Sequence, residues 1–183
     1  MITSQTLTAN TTWTMAGSPY WVQDTLRVGA GVRLTIEPGV VVKIGNPSNS
    51  YGSIIVDGQL AALGTSAAPV VFTSHRDDSI AGDTNGDGGA TTPARGDWYH
   101  IYFSNTATTQ SVIDRAVIQY GGQRVSGVCH ASATVDVTAQ ASLSLTNSDL
   151  KHAMNSSLST APGTGTVRVA NNRFSESKCA PLR

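Results

Sequence analysis

Between Thr25 and Ile44 the chain reads TLRVGAGVRLTIEPGVVVKI, three short runs in which apolar and polar residues alternate: Leu26/Val28, Val32/Leu34/Ile36 and Val40/Val42/Ile44. Alternation of period two is the signature of a strand with one buried face. The runs are parted by GAG and EPG, whose Gly and Pro turn the backbone and do not suit the interior of a ladder. Three such strands with two corners cannot bury their apolar faces alone, because two or three isolated short strands are marginal in water. The unit needs copies of itself above and below.

The chain supplies them. GQLAALGTSAAPVVFTS (58–74), QSVIDRAVIQYGG (110–122), ASLSLTNSDLKHA (141–153) and GTVRVANNRFSES (165–177) repeat the pattern of strand, small-residue corner and strand. The preceding strand recurs as TLRV, SIIV, HIYF and TVDV. Taking Leu34, Leu60, Val112, Leu143 and Val167 as equivalent gives steps of 26, 52, 31 and 24 residues, and removing the 21 residues of 77–97 shortens the long step to 31. A repeat of this length without helical period predicts a solenoid of strands. The expected fold is all-β, a right-handed parallel β-helix of five to six coils whose strands pair with the next coil at about 4.8 Å. The expected core includes Leu34, Ile36, Val42, Ile55, Val71, Ile113, Val117, Leu143, Leu145 and Val167.

Composition narrows the setting. Only 13% of the 183 residues are charged and 18 are Gly, which favours strands and turns over helices. Net charge is zero and Lys and Arg do not cluster, so nucleic acid is a poor partner. No apolar run approaches membrane-spanning length, so membrane insertion is not expected. The opening MITSQTLTANTTWT lacks a basic start and an apolar centre, and reads as the start of a mature or excised domain rather than a signal peptide. We expect one domain over 1–183, with 1–24 as an N-terminal capping coil, 76–97 as an inserted loop and 178–183 as a C-terminal tail. Trp13, Tyr20 and Trp21 in the first coil either cover the open end of the core or offer a surface for a sugar or a second copy of the chain.

From LTIEPGVVVKI through GSIIVDGQLAALGTSAAPVVFTSHRDDS, GDTNGDG and PARGDW to SVIDRAVIQYGG, the chain resembles the right-handed β-helix modules of bacterial secreted and cell-surface proteins. Those modules carry an IEPG turn, a coil ending in FTS and a GDTNGDG insertion closed by GDW, in this order. The resemblance spans about residues 25–122. It implies the β-helix and a secreted or cell-surface location, but no single activity, because the module recurs in proteins of many roles.

The insertion RDDSIAGDTNGDGGATTPARGD carries the most suggestive chemistry. Asp83, Asn85, Asp87 and Gly88 form D-x-N-x-D-G, the opening half of a calcium loop, in which alternate oxygen side chains converge on one hard cation. The twelfth position, where an EF-hand places a bidentate Glu, is Ala94. A calcium ion would therefore draw further ligands from Asp77, Asp78 or Asp97. The competing reading is a loop in which Asp, Asn and Gly merely support turns. GNPSNSY (45–51), the 76–97 insertion, GGQRVSGVCHAS (121–132) and NSSLSTAPGTG (155–165) should all leave from one corner of the prism, with His75, His100, His130 and His152 along it. No His pair has close zinc-ligand spacing. Cys129 and Cys179 are the only cysteines, and either pair in one disulfide or stand as two thiols. Asn147 and Asn171 occupy matching corners and predict a stacked asparagine ladder.

Many β-helices cleave acidic polysaccharides, but the polygalacturonase-like N-T-D, D-D and G-H-G set is missing here. A lyase would need a base beside bound calcium, for which Arg76, Arg95 and Arg115 are the nearest basic residues, and Asp114–Arg115 reads as a surface pair. Without a convergent acid–base set, the expectation is a non-enzymatic structural or adhesive module, with a polysaccharide-binding or lyase-like β-helix as the alternative. Its partner would be a second copy stacked end to end into a filament, or a cell-surface carbohydrate. A flat ice-binding array is not expected, since the T-x-T pairs Thr6/Thr8 and Thr12/Thr14 do not recur coil by coil.

Overall fold

The computed structural model describes residues 1–48, 52–123 and 133–178. Its strands wind six times round a triangular prism, a right-handed parallel β-helix. Coil one holds β1 (Gln5–Leu7), β2 (Thr11–Trp13) and β3 (Tyr20–Val22), and coil two β4 (Thr25–Val28), β5 (Arg33–Ile36) and β6 (Val41–Ile44). Coil three follows as β7 (Ser53–Val56), β8 (Gln59–Leu63) and β9 (Val70–Ser74), and coil four as β10 (Ile101–Phe103), β11 (Ser111–Asp114) and β12 (Ala116–Gln119). Coil five is β13 (Ala133–Val137), β14 (Leu143–Thr146) and β15 (Asp149–Lys151). Coil six is β16 (Ser156–Thr160), β17 (Val167–Ala170) and β18 (Arg173–Ser175). Each face of the prism is a six-stranded parallel sheet: sheet 1 from β1 to β16, sheet 2 from β2 to β17 and sheet 3 from β3 to β18, each taking every third strand.

Inward side chains stack into columns that run the length of the prism. In sheet 2 one column is Trp13, Ile36, Ala62, Ile113, Leu145 and Val169; in sheet 3 another is Tyr20, Val42, Phe72, Ile118, Leu150 and Phe174. The column ends differ. Trp13 is buried and stacks on Tyr20 with ring centroids 4.5 Å apart, closing coil one from inside, and Ile2 pairs with Val22 along the edge of β3. At coil six Val169 is 42% exposed, while Val167 and Phe174 are half-buried against the core.

The register corrects part of the expected core. Leu34, Ile36, Val42, Ile113, Leu143 and Leu145 point inward and are buried. Ile55 and Val117 are half-buried on the outer faces, because Ile54 and Ile118 occupy the columns. Val71 is buried but lies between the inward Val70 and Phe72, outside the core cluster. Where two or three apolar residues adjoin, as in SIIV and AVIQ, alternation leaves the parity open and pairing with the next coil decides it. For the same reason Ser111, and not Val112, matches Leu60 and Leu143. A second correction concerns 155–165. SSLST forms β16 in sheet 1, so only 152–155 remains as the corner loop there. Its one apolar residue, Leu158, gave the sequence no alternation to show.

The corner between sheets 2 and 3 is the tightest. Arg115, Asn147 and Asn171 stand in register there with φ of 51°, 51° and 57°, a left-handed conformation that Asn tolerates better than most residues. Asn171 Nδ2 donates to Asn147 Oδ1 at 3.3 Å, and Asn147 Nδ2 donates to Asp114 Oδ1 at 2.7 Å. The asparagine ladder thus ends on a carboxylate that also pairs with Arg115. Burial alone would raise the Asp114 pKa, but donation from Thr146 and Asn147 and the Arg115 charge outweigh it and hold the pKa down. This stabilisation is present above the unfolded carboxylate pKa and is lost as pH falls through the folded one.

Two substitutions test this frame by equilibrium denaturation. Leu34→Asp should abolish folding, since it buries an unpaired charge in an inward column between Thr11 and Leu60; a variant that melts like the parent contradicts the register. Asn147→Ala should cost about 1–2 kcal/mol from the left-handed backbone and the lost ladder bonds. Asn147→Gly, which relieves the backbone strain, should cost less.

Candidate metal centre

The long connections leave from the corner between sheets 3 and 1, where the chain passes from β6 to β7, β9 to β10 and β12 to β13. The longest of them, between β9 and β10, folds back over the outer face of sheet 3. Register aligns Trp21, Lys43, Thr73 and Gln119 as one outward row on that face. The row is polar, yet Lys43, Thr73 and Gln119 are buried beneath the loop.

Two of the expected ligands are the loop's anchors. Asp77 accepts from Thr73 Oγ1 at 2.6 Å, Gln119 Nε2 at 3.0 Å and Ser79 Oγ at 2.5 Å. Asp97 accepts from Ser74 Oγ at 2.5 Å and from the Ala94 amide at 2.8 Å, and pairs with Arg76 at 3.1 Å. Each fastens one end of the insertion to sheet 3, with its oxygens already satisfied by protein donors.

The other carboxylates converge. One oxygen each from Asp78, Asp83 and Asp87 lies within 4.8 Å of the others. Asp83 shapes the turn, accepting from the amides of Gly86 (2.7 Å), Asp87 (3.1 Å) and Gly88 (2.8 Å). Asp87 does the same for Gly89, Ala90 and Thr91 and accepts from Asn85 Nδ2 at 2.8 Å. The Thr91 hydroxyl and these donors hold the Asp87 pKa below its usual value. Two oxygens remain: Asp78 Oδ1 and Asn85 Oδ1 are buried without a hydrogen-bond partner. Buried polar atoms without partners are rare and call for an explanation. A set of donors made only of oxygen, with two of them unsatisfied, fits a hard divalent cation such as calcium.

One residue at this site escaped the sequence reading. Lys43 is fully buried, and its Nζ donates to the Gly82 carbonyl. Burial pushes its pKa down, while the charges of Asp78, Asp77 and Asp83 pull it up. The signal was a lone Lys inside the apolar run VVVKI, whose side chain alternation sends outward.

The remaining candidates lie elsewhere. Trp13 and Tyr20 turn into coil one, with Tyr20 Oη accepting from the Thr14 amide at 3.0 Å. Trp21 points outward, stacks on His75 at 6.4 Å and donates to the Gly45 carbonyl at 2.7 Å. Among the described residues no histidine joins the carboxylates: His152 stacks on Tyr120 and pairs with Glu176, and His100 lies on sheet 1 against Tyr102. Arg76 and Arg115 are engaged with Asp97 and Asp114, and Arg95 is exposed. His130, Cys129 and Cys179 lie outside the described residues.

Sheet 1 carries a second outward row, Arg27, Ile55, Tyr102 and Asp136, in register and half-buried. Arg27 pairs with Asp57 on its own face. Burial raises the Asp136 pKa and lowers that of His100, so two perturbed groups flank Tyr102.

Comparison with protein families matches residues 5–130 to the family described as a pectate-lyase like beta helix domain. No curated protein and no solved structure matches the chain.

The imidazoles of the buried His75 and the half-buried His100 predict a pH dependence. Both pKa values are lowered, with burial the leading cause, so below about pH 6.5 the unfolded chain takes up protons that the folded chain refuses. Stability should fall as pH drops from neutral towards the folded pKa values. Melting temperatures measured across about pH 7.5 to 5.5 (roughly one unit either side of the free histidine value) check this, and His100→Gln should flatten the slope.

Proposed function

This chain belongs to the pectate-lyase like β-helix family, and on that premise we propose that it is a calcium-ordered structural module of a secreted or cell-surface protein. The observation that carries the reading is the convergence of Asp78, Asp83 and Asp87 beside the unsatisfied oxygens of Asp78 and Asn85. Charge supports it. Residues 76–97 hold five Asp against Arg76 and Arg95, a net of −3 in a chain whose total is zero, and the buried Lys43 offsets one unit of this. Calcium would be held by Asp78, Asp83, Asp87 and Asn85, with Asp77 and Asp97 holding the loop in place. Its chemistry there is charge neutralisation: it lets four oxygen side chains share one small volume.

Calcium should raise the melting temperature, by the equivalent of about 2.7 kcal/mol at a concentration 100 times Kd. Asp83→Asn should remove most of that gain, and Asp97→Asn should lower stability whether or not calcium is present. A melting curve and a proteolysis rate for the 76–97 loop that ignore both calcium and chelator would refute the site.

The second reading is that the module binds an acidic or neutral polysaccharide, favoured by the family and by the row Arg27, Tyr102 and Asp136 on sheet 1. A half-buried aromatic ring with charged neighbours and shifted acid and base groups suits a sugar platform. Tyr102→Ala should then lower binding to immobilised polysaccharide at least tenfold without changing the melting temperature by more than a few degrees. Equal retention of parent and variant would remove this reading.

A further inference from the structure

Asn85 is followed by Gly86, and this is the chain's one Asn-Gly step. Asparagine is thermally labile, and most so before glycine, where nothing shields the peptide nitrogen from the side-chain carbonyl carbon. Gly86 has φ of 72°, and a Cβ built on it would meet nothing within 4 Å, so the step lies in open space at the tip of the loop. The side chain, however, is committed: Nδ2 donates to Asp87 Oδ2 at 2.8 Å and to Thr91 Oγ1 at 3.3 Å, while Oδ1 is buried without a partner.

We propose that Asn85 is a deamidation site, and that its conversion changes a loop able to close without a metal into one that requires a divalent cation. The lone pair of the Gly86 nitrogen attacks Asn85 Cγ. The Cγ–Nδ2 bond breaks and ammonia leaves, taking up the proton that Gly86 nitrogen gives up. Water then opens the cyclic imide at either carbonyl, giving an aspartate or its isomer with the chain routed through the side chain. Nothing is oxidised or reduced, and water is the one co-reactant.

The closed loop restrains this reaction. The Gly86 N–H, which must be released, donates to Asp83 Oδ1 at 2.7 Å, and the departing amide nitrogen is held by Asp87 and Thr91. Whatever loosens the loop therefore exposes the step. The product reverses the local electrostatics. An amide donor 2.8 Å from Asp87 becomes a carboxylate facing that carboxylate, so an attraction becomes a repulsion. Together with Asp78, Asp83 and Asp87 the site would hold four carboxylates, an arrangement that a divalent cation stabilises and water alone does not. The calcium gain rests on the metal reading above; the conversion itself does not.

The test ages the intact protein at 37 °C (about physiological temperature, where such side-chain lability is expressed) and mildly alkaline pH, with chelator and with calcium. Peptide mapping of 76–97 then follows the amide-to-acid mass change at Asn85. Conversion in chelator is expected, slowed about tenfold or more by calcium. Asn85→Gln, whose longer side chain disfavours the ring, should show none. Full retention of the amide in chelator overturns the proposal. Asn85→Asp, which mimics the main-chain product, should melt below the parent in chelator and gain more from calcium, with affinity tighter by about tenfold. Should Asn85→Asp match the parent in both respects, the proposed consequence is wrong. If the parent ignores calcium but Asn85→Asp binds it, the metal reading of the unmodified chain fails while this inference stands.

Discussion

No coil of this protein can bury its own apolar face, and the structure depends on how that shortage is met. Each inward side chain covers its counterpart one coil away, so Leu34 is sealed by Thr11 and Leu60 rather than by anything near it in sequence. The shared register makes the molecule a prism whose stability is a sum of neighbour contacts. It also decides where irregular chain is tolerated. Two corners must stay short to keep successive strands in step, so the long connections leave from the third, between sheets 3 and 1.

That arrangement turns the outer faces into building ground. Strand alternation sends Lys43, Thr73 and Gln119 outward in one row, and the 76–97 insertion closes over them. A fully buried ammonium is costly unless its hydrogen bonds and charge are answered. Here the Gly82 carbonyl accepts from it, and the nearby aspartates oppose the effect of burial. Asp77 and Asp97, tied to the strands beneath, bring Asp78 and the 83–91 turn into one place. The loop is thus positioned by the rigid scaffold, the usual arrangement for a functional segment.

The repeat was legible because alternation survives wherever apolar and polar residues strictly interchange, as in TLRV, VRLTI and LSLT. It failed where neighbouring residues were both apolar, so that Ile55 and Val117 were placed a position away from the core column, and where a strand was mostly Ser and Thr, as in SSLST. The D-x-N-x-D-G motif located the metal candidate, since its turn is built from contacts four or five residues apart. Which outside Asp would complete it was not legible. Asp77 and Asp78 are adjacent in sequence, yet the turn after β9 points one at Thr73 and Gln119 and brings the other to Asp83 and Asp87. Lys43 was hidden for the same reason: its burial depends on a loop that begins more than thirty residues later.

The central claim is that the scaffold holds an oxygen cluster which calcium locks. Hydrogen exchange of the Gly86, Asp87 and Gly88 amides, all donating to Asp83, tests it most directly. With calcium these amides should exchange at least about tenfold more slowly, a change of about 1.4 kcal/mol in local opening, while amides of the central coils stay unchanged. Equal exchange with calcium and with chelator would mean that the loop closes on its own hydrogen bonds and holds no ion.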